Sequence, residues 1–307
     1  MTTHPSKTDN TAVVKRPFLA VLFVSPDERR LRAGWRLGFH TLLVGLFTLT
    51  LQLGSYLILP WFPFLPADLL QPLLPTAAIT LATLLARRWL DHRSFASLGL
   101  LWSARALKDL FFGLALSAGL MTLIFGIEWS LGWIAITGTS FQQLPTAAVL
   151  GNLAQAGLLY ACVGYYEELY SRGYQLQTLA DGTTILLGIV LSSSFFGFLH
   201  IANPNASLLS TAGIVLAGLF LAYGWLRTRQ LWLSIGFHFG WNFFQGTVFG
   251  FPVSGIGGFS LLILEDTSST ALSGGAFGPE ASILILPVLL LGMAVITIAT
   301  RGRVETT

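Results

Sequence analysis

Cysteine and charge are what this 307-residue sequence has least of: it holds one Cys, and Asp, Glu, Lys and Arg together make up 10% of it against 53% hydrophobic residues. The single cysteine, Cys162, excludes an intramolecular disulfide, and no CxxC or Cys/His spacing surrounds it, so packing is its expected role. A charged fraction this low, with a mean hydropathy of +0.70, excludes a soluble globular domain and indicates an integral membrane protein. The apolar run FLAVLFV near the N-terminus is too short to span a bilayer, and no small-residue cleavage site follows it. Residues 1–35 therefore read as a cytoplasmic or interfacial arm rather than a cleaved signal peptide, and residues 36–303 as one membrane domain. No internal repeat marks the inverted halves of a transporter.

Hydrophobic runs of the roughly 20 residues that a hydrocarbon core about 30 Å thick requires are present eight times. They lie near residues 37–60, 68–86, 109–135, 147–180, 182–202, 208–226, 231–250 and 281–300. The fourth is long and must tilt or protrude. Lys and Arg concentrate in cytoplasmic segments beside membrane helices. Here Lys7, Lys15, Arg16, Arg29, Arg30, Arg32 and Arg36 precede or open the first run, and Arg87, Arg88, Arg93, Arg105 and Lys108 separate the second from the third. Arg227 and Arg229 lie between the sixth and seventh, and Arg301 and Arg303 follow the eighth. All fall on one side if eight helices are threaded with both termini in the cytoplasm of a multi-pass cell-membrane protein. The alternate loops hold Asp68, Glu265, Asp266 and Glu280 but no Lys or Arg, so the net charge of +3 is an asymmetry across a bilayer and implies no nucleic-acid partner. The Gly/Ser-rich stretch 254–279 reads as a flexible external loop in which Glu265 and Asp266 are solvated.

Inside the runs, charge is expensive: an ionisable group near the centre of a membrane helix costs roughly 2.5–3.5 kcal/mol on insertion scales. The fourth run nevertheless carries Glu167, Glu168 and Arg172. Glu168 and Arg172 are four apart and can pair on one face. Glu167 points about 100° away and has no partner on its own helix. A buried ion-pair cluster that only fixes packing explains one carboxylate; a second beside it favours function. In the fifth run Phe196 and His200 are four apart, and in the seventh His238 and Asn242 share a face. Counted from the cytoplasmic turns, Glu167, His200, His238 and Asn242 lie about 22, 26, 12 and 18 Å along their helices, so a tilted bundle can gather them at one interior level around a polar cavity. His4, His40 and His92 have no such pattern and read as surface or interfacial.

A carboxylate and an imidazole can orient and deprotonate a water, while a second imidazole and an amide can donate hydrogen bonds to an oxyanion. Glu167, His200 and His238 could instead hold Zn²⁺ with an open position for water. Neither a GxSxG elbow nor HExxH is present, which removes serine hydrolases and zincins. The residues leave the metal undecided, with a lean to none, because Asn242 suits an oxyanion donor better than a zinc ligand. A transporter, or a scaffold or immunity protein, could use the same cavity without cleaving anything, although Glu167 favours catalysis. A haem site does not require the amide and carboxylate neighbours seen here.

Three motifs in order, EELYSR (Glu167 to Arg172), FGFLH (Phe196 to His200) and HFGWN (His238 to Asn242), resemble the CAAX protease and bacteriocin-processing (CPBP, Abi) family, which includes the type II CAAX prenyl endopeptidases. The resemblance covers about residues 145–245, within a core placed at about 145–250, and extends upstream to RSFASLGL at residues 93–100. It implies an eight-helix intramembrane endopeptidase, glutamate- or metal-dependent, with its site reachable from the cytoplasm and a membrane-associated protein or peptide as substrate. Matching positions would make Glu167 the water-activating glutamate and His200 its partner. His238 and Asn242 would stabilise the oxyanion, with Glu168 and Arg172 in support.

Overall fold

The computed structural model describes residues 22–25, 30–62 and 67–303, giving only the backbone at 67 and 68. Most of the expected N-terminal arm, including His4, Lys7, Lys15, Arg16 and Arg29, lies outside the described residues, as does the side chain of Asp68. The fold is mostly helical, with one short pair of strands. Helix α1 is Ala33–Ile58, extended by a 3₁₀ turn Leu59–Trp61, and α2 is Leu73–Leu85, extended by a π turn Ala86–Leu90. After α3 (Ala104–Ser130) comes strand β1 (Ile134–Thr139), then α4 (Thr146–Glu168). A π turn, Leu169–Gln175, joins α4 to α5 (Leu176–Gly182). Helices α6 (Ile185–Leu199), α7 (Leu208–Thr228) and α8 (Trp232–Asn242) follow, and α8 runs on into a π turn Phe243–Phe249. Strand β2 (Leu262–Asp266) and α9 (Ile285–Ala299) complete the chain.

Five helical runs, Ala33–Trp61, Ala104–Ser130, Thr146–Gly182, Ile185–Ala202 and Leu208–Thr228, are long and apolar enough to cross a membrane. The expected eight-run thread overlaps these five together with α2, α8 and α9. The first two of those three gain length from their π turns, and α9 is a 15-residue apolar helix. The long fourth run is one 37-residue path, roughly 55 Å at the α-helical rise, with the π turn inside it.

Local chemistry sets several starts. Ser103 caps α3 by accepting from the Ala106 N–H, Thr184 caps α6 by accepting from Leu187, and Ser207 with Ser210 forms a capping box on α7. The third run departs from expectation. It begins at Ala104 and stops at Ser130, not near residue 135, because Gly132 adopts φ 69° and turns the chain so that Ile134–Thr139 can pair with β2. That antiparallel pair, Ile136 opposite Leu264 and bulged before Gly138, places a strand inside the supposedly flexible loop 254–279. Asp266 is exposed as expected but is also bonded by Ser273 Oγ at 2.7 Å.

The helices alternate in direction, so the connections fall at two ends. At the basic end, Asp91 joins Arg36 and Arg87 at 2.5 and 3.0 Å, and Asp181 joins Arg30 and Arg93 at 3.1 and 3.0 Å. Arg303 reaches Asp109 at 2.6 Å, and the Leu231 N–H donates to Gly99 O. At the opposite end, Ser140 bonds the Ser260 carbonyl, and Thr267 N–H donates to Trp133 O. Between the ends, α8 packs so closely on α3 that a Cβ at Gly236 would collide with the Leu110 carbonyl. This contact seats α8, and with it His238, in the centre of the bundle.

Candidate active site

Glu168 ends α4 fully buried, and Arg172 follows it one turn later within the π segment, 1% exposed. Arg172 Nη1 donates to Glu168 Oε1 at 2.8 Å and Nη2 to Gly218 O at 3.1 Å, with the guanidinium 4.3 Å above the centroid of Phe196. The expected Glu168–Arg172 pair is therefore present, with a cation–π contact from the second motif added. The same Oε1 lies 2.9 Å from His238 Nδ1. A carboxylate can only accept, so Nδ1 carries the proton and Nε2 faces the cavity. Glu168 thus orients His238 as well as neutralising Arg172, a bond that local sequence spacing does not reveal.

Glu167, the next residue back, is turned the other way. Its Oε2 is buried without a hydrogen-bond partner among the described residues and stands 3.7 Å from His238 Nε2. That separation exceeds a direct bond but suits two groups sharing one bridging water. His200 occupies the 3₁₀ turn that ends α6, where Nδ1 donates to Phe196 O at 2.8 Å and the ring packs on Phe196. Its Nε2 is left for the cavity. Asn242, 7% exposed, is one turn beyond His238 on α8. Glu167, His200, His238 and Asn242 all line one cavity of about 620 Å³, so the four sequence-predicted residues meet around a common space.

Glu280, expected in an external loop, lines the same cavity. It is 2% exposed; Gln245 Nε2 donates to its Oε2 at 2.7 Å, and the backbone N–H and Oγ of Ser254 donate to Oε1 at 3.2 Å each. Gln245 is three residues past Asn242, and Ser254 O accepts from Asn203 Nδ2 at 2.9 Å, one turn past His200. Glu280 therefore ties the loop to the segments that follow His200 and Asn242. Burial pushes its carboxyl up to about 7, against hydrogen bonds that pull it down. The folded value lies above the unfolded one, so the native state holds the proton more tightly. Stability should then fall as pH rises from the ordinary carboxyl value through about 7, by on the order of 3 kcal/mol. Thermal unfolding between pH 5 and 8 should show this decline in the wild type and a flatter profile in Glu280→Gln; equal slopes would exclude the link.

His40 is a correction. It is fully buried, bonded to Thr83 Oγ1 at 3.0 Å and stacked on Tyr174 at 3.9 Å, because it points from α1 into the bundle one turn after Arg36. His92 is exposed, and Cys162 is buried.

The donor chemistry at Glu167, His200 and His238 would suit zinc, since each presents an open oxygen or nitrogen and His238 is backed by a carboxylate. Their placement does not fit: among the described residues, no three His, Cys, Asp or Glu side chains converge to hold one metal ion.

Residues 148–244 match the family model described as type II CAAX prenyl endopeptidase Rce1-like. The matched segment runs from early α4 to the end of α8, so it contains all three motifs and every residue of the predicted site. No curated protein matches the chain.

Proposed function

We propose that the Rce1-like segment makes this chain an intramembrane endopeptidase that cleaves a membrane-associated protein or peptide with a water activated by Glu167, without metal. The observation that carries the reading is the division of labour between neighbouring carboxylates. Glu168 is fully committed to Arg172 and His238, whereas Glu167 has an unpartnered oxygen in the cavity beside His238 Nε2.

Glu167 takes a proton from a water that His200 Nε2 helps orient, and the water oxygen bonds to the scissile carbonyl carbon. His238 in its doubly protonated form donates from Nε2 to the developing oxyanion while Glu168 holds Nδ1–H; Asn242 donates its amide alongside. With His238 charged, two cations face two carboxylates, so the cluster is neutral within the bilayer. Collapse breaks the C–N bond, and Glu167 returns its proton to the leaving amine.

Asn242→Ala should reduce turnover by about 10²–10³, the usual effect of removing an oxyanion donor. Chelators should leave wild-type activity intact. Cleavage in membranes can be followed by profiling the new N-termini formed by wild type and variants. Activity lost to chelation and restored by zinc would overturn the metal-free assignment.

A further inference from the structure

The cytoplasmic access implied by the family resemblance and the cytoplasmic termini implied by the basic loops name opposite ends of this bundle. Apart from Arg172, every Lys and Arg belongs to the termini, to the loops between α2 and α3 and between α7 and α8, or to the helical turns next to them. None of the described residues of those segments lines the cavity. Beyond the helices, its lining comes from the other end: Asn203 after α6, then Ser254, Gly257, Gly258 and Phe259 after α8. Between the catalytic level and the basic end the interior is filled, with Leu169, Leu176 and Leu231 fully buried and Leu98 1% exposed. The arginine–aspartate network of Asp91 and Asp181 closes the bundle beneath them.

We propose that substrate reaches Glu167 from the end opposite the basic loops, so that the scissile bond lies in an extracytoplasmic segment of a membrane-anchored protein or peptide. Basic loops are retained in the cytoplasm during insertion, which fixes the cavity mouth on the other face. Among the described residues the lining contributes Glu167 and Glu280 but no Lys or Arg, and its remaining walls are mostly apolar. Such a cavity suits an apolar segment of the substrate. The identity of the reaction rests on the endopeptidase reading above; the direction of access does not.

A cysteine at Gly257 tests that direction. Gly257 is exposed, lines the cavity and has open space where a Cβ would stand. Arg88, exposed at the basic end, supplies the control. Each would be replaced by Cys in a Cys162→Ala background and treated with a membrane-impermeant maleimide in right-side-out and inverted vesicles. Gly257→Cys should react in right-side-out vesicles and Arg88→Cys in inverted ones. Reaction of Gly257→Cys in inverted vesicles alone, labelling of both sites from one face, or reaction of Gly257→Cys only after denaturation would overturn the proposal. Labelling needs no turnover. If it behaves as expected but wild-type and Glu167→Gln membranes yield the same new N-termini, the endopeptidase reading fails and the access route stands.

Discussion

Glu167→Gln is expected to lower proteolysis by about 10² to 10⁴, the contribution of a positioned general base, while leaving insertion and thermal stability close to wild type. Glutamine keeps the shape of the side chain but cannot take the proton from water. Stability should hold because Glu167 is half-buried and makes no hydrogen bond through Oε2 that the substitution could break. Cleavage by the purified variant, measured beside its unfolding temperature, checks both halves. A variant that unfolds early would place Glu167 in the structural scaffold instead.

The neighbouring substitution should cost stability as well as activity. Glu168→Gln retains an oxygen for Arg172 Nη1 and His238 Nδ1 but removes the charge that balances a fully buried guanidinium. Breaking a buried pair from one side costs about 3–5 kcal/mol, so unfolding should shift well below wild type and activity should fall with it. The double variant Glu168→Gln/Arg172→Gln should regain part of that stability, because neither charge is then stranded. A double variant no more stable than the single one would show that the ion pair is not the source of the loss.

Local spacing carried the Glu168–Arg172 pair, since residues four apart share a helical face, and hydrophobic length carried the helical runs. Long-range pairing was not legible. The bond from Glu168 to His238 joins α4 to α8, and the link from Glu280 through Ser254 to Asn203 joins three separate segments. The sequence around Glu280 resembles any Gly/Ser-rich loop, and only its burial among donors reveals a role. Ile134–Thr139 was misread for a related reason: LGWIAIT is apolar enough to prolong a helix, and its strand partner lies far along the chain. His40 looked unpartnered because Thr83 and Tyr174 belong to other helices.

The π turn at Leu169–Gln175 sets the angle of α5 relative to α4. Its i→i+5 bonding accommodates an extra residue in the turn relative to an α-helix. Were the same residues wound as uninterrupted α-helix, α5 would turn by about 100° relative to α4. Gly188 of α6 lies where an added Cβ would sit 2.8 Å from Leu176 O and 2.9 Å from Ala180 N, so side chains swung toward it would find no room. Asp181, carried on the same helix, would leave the arginines of the basic end. The wide turn between Glu168 and Asp181 is thus a constraint in its own right, since it holds α5 at the angle that both Gly188 and the basic end require.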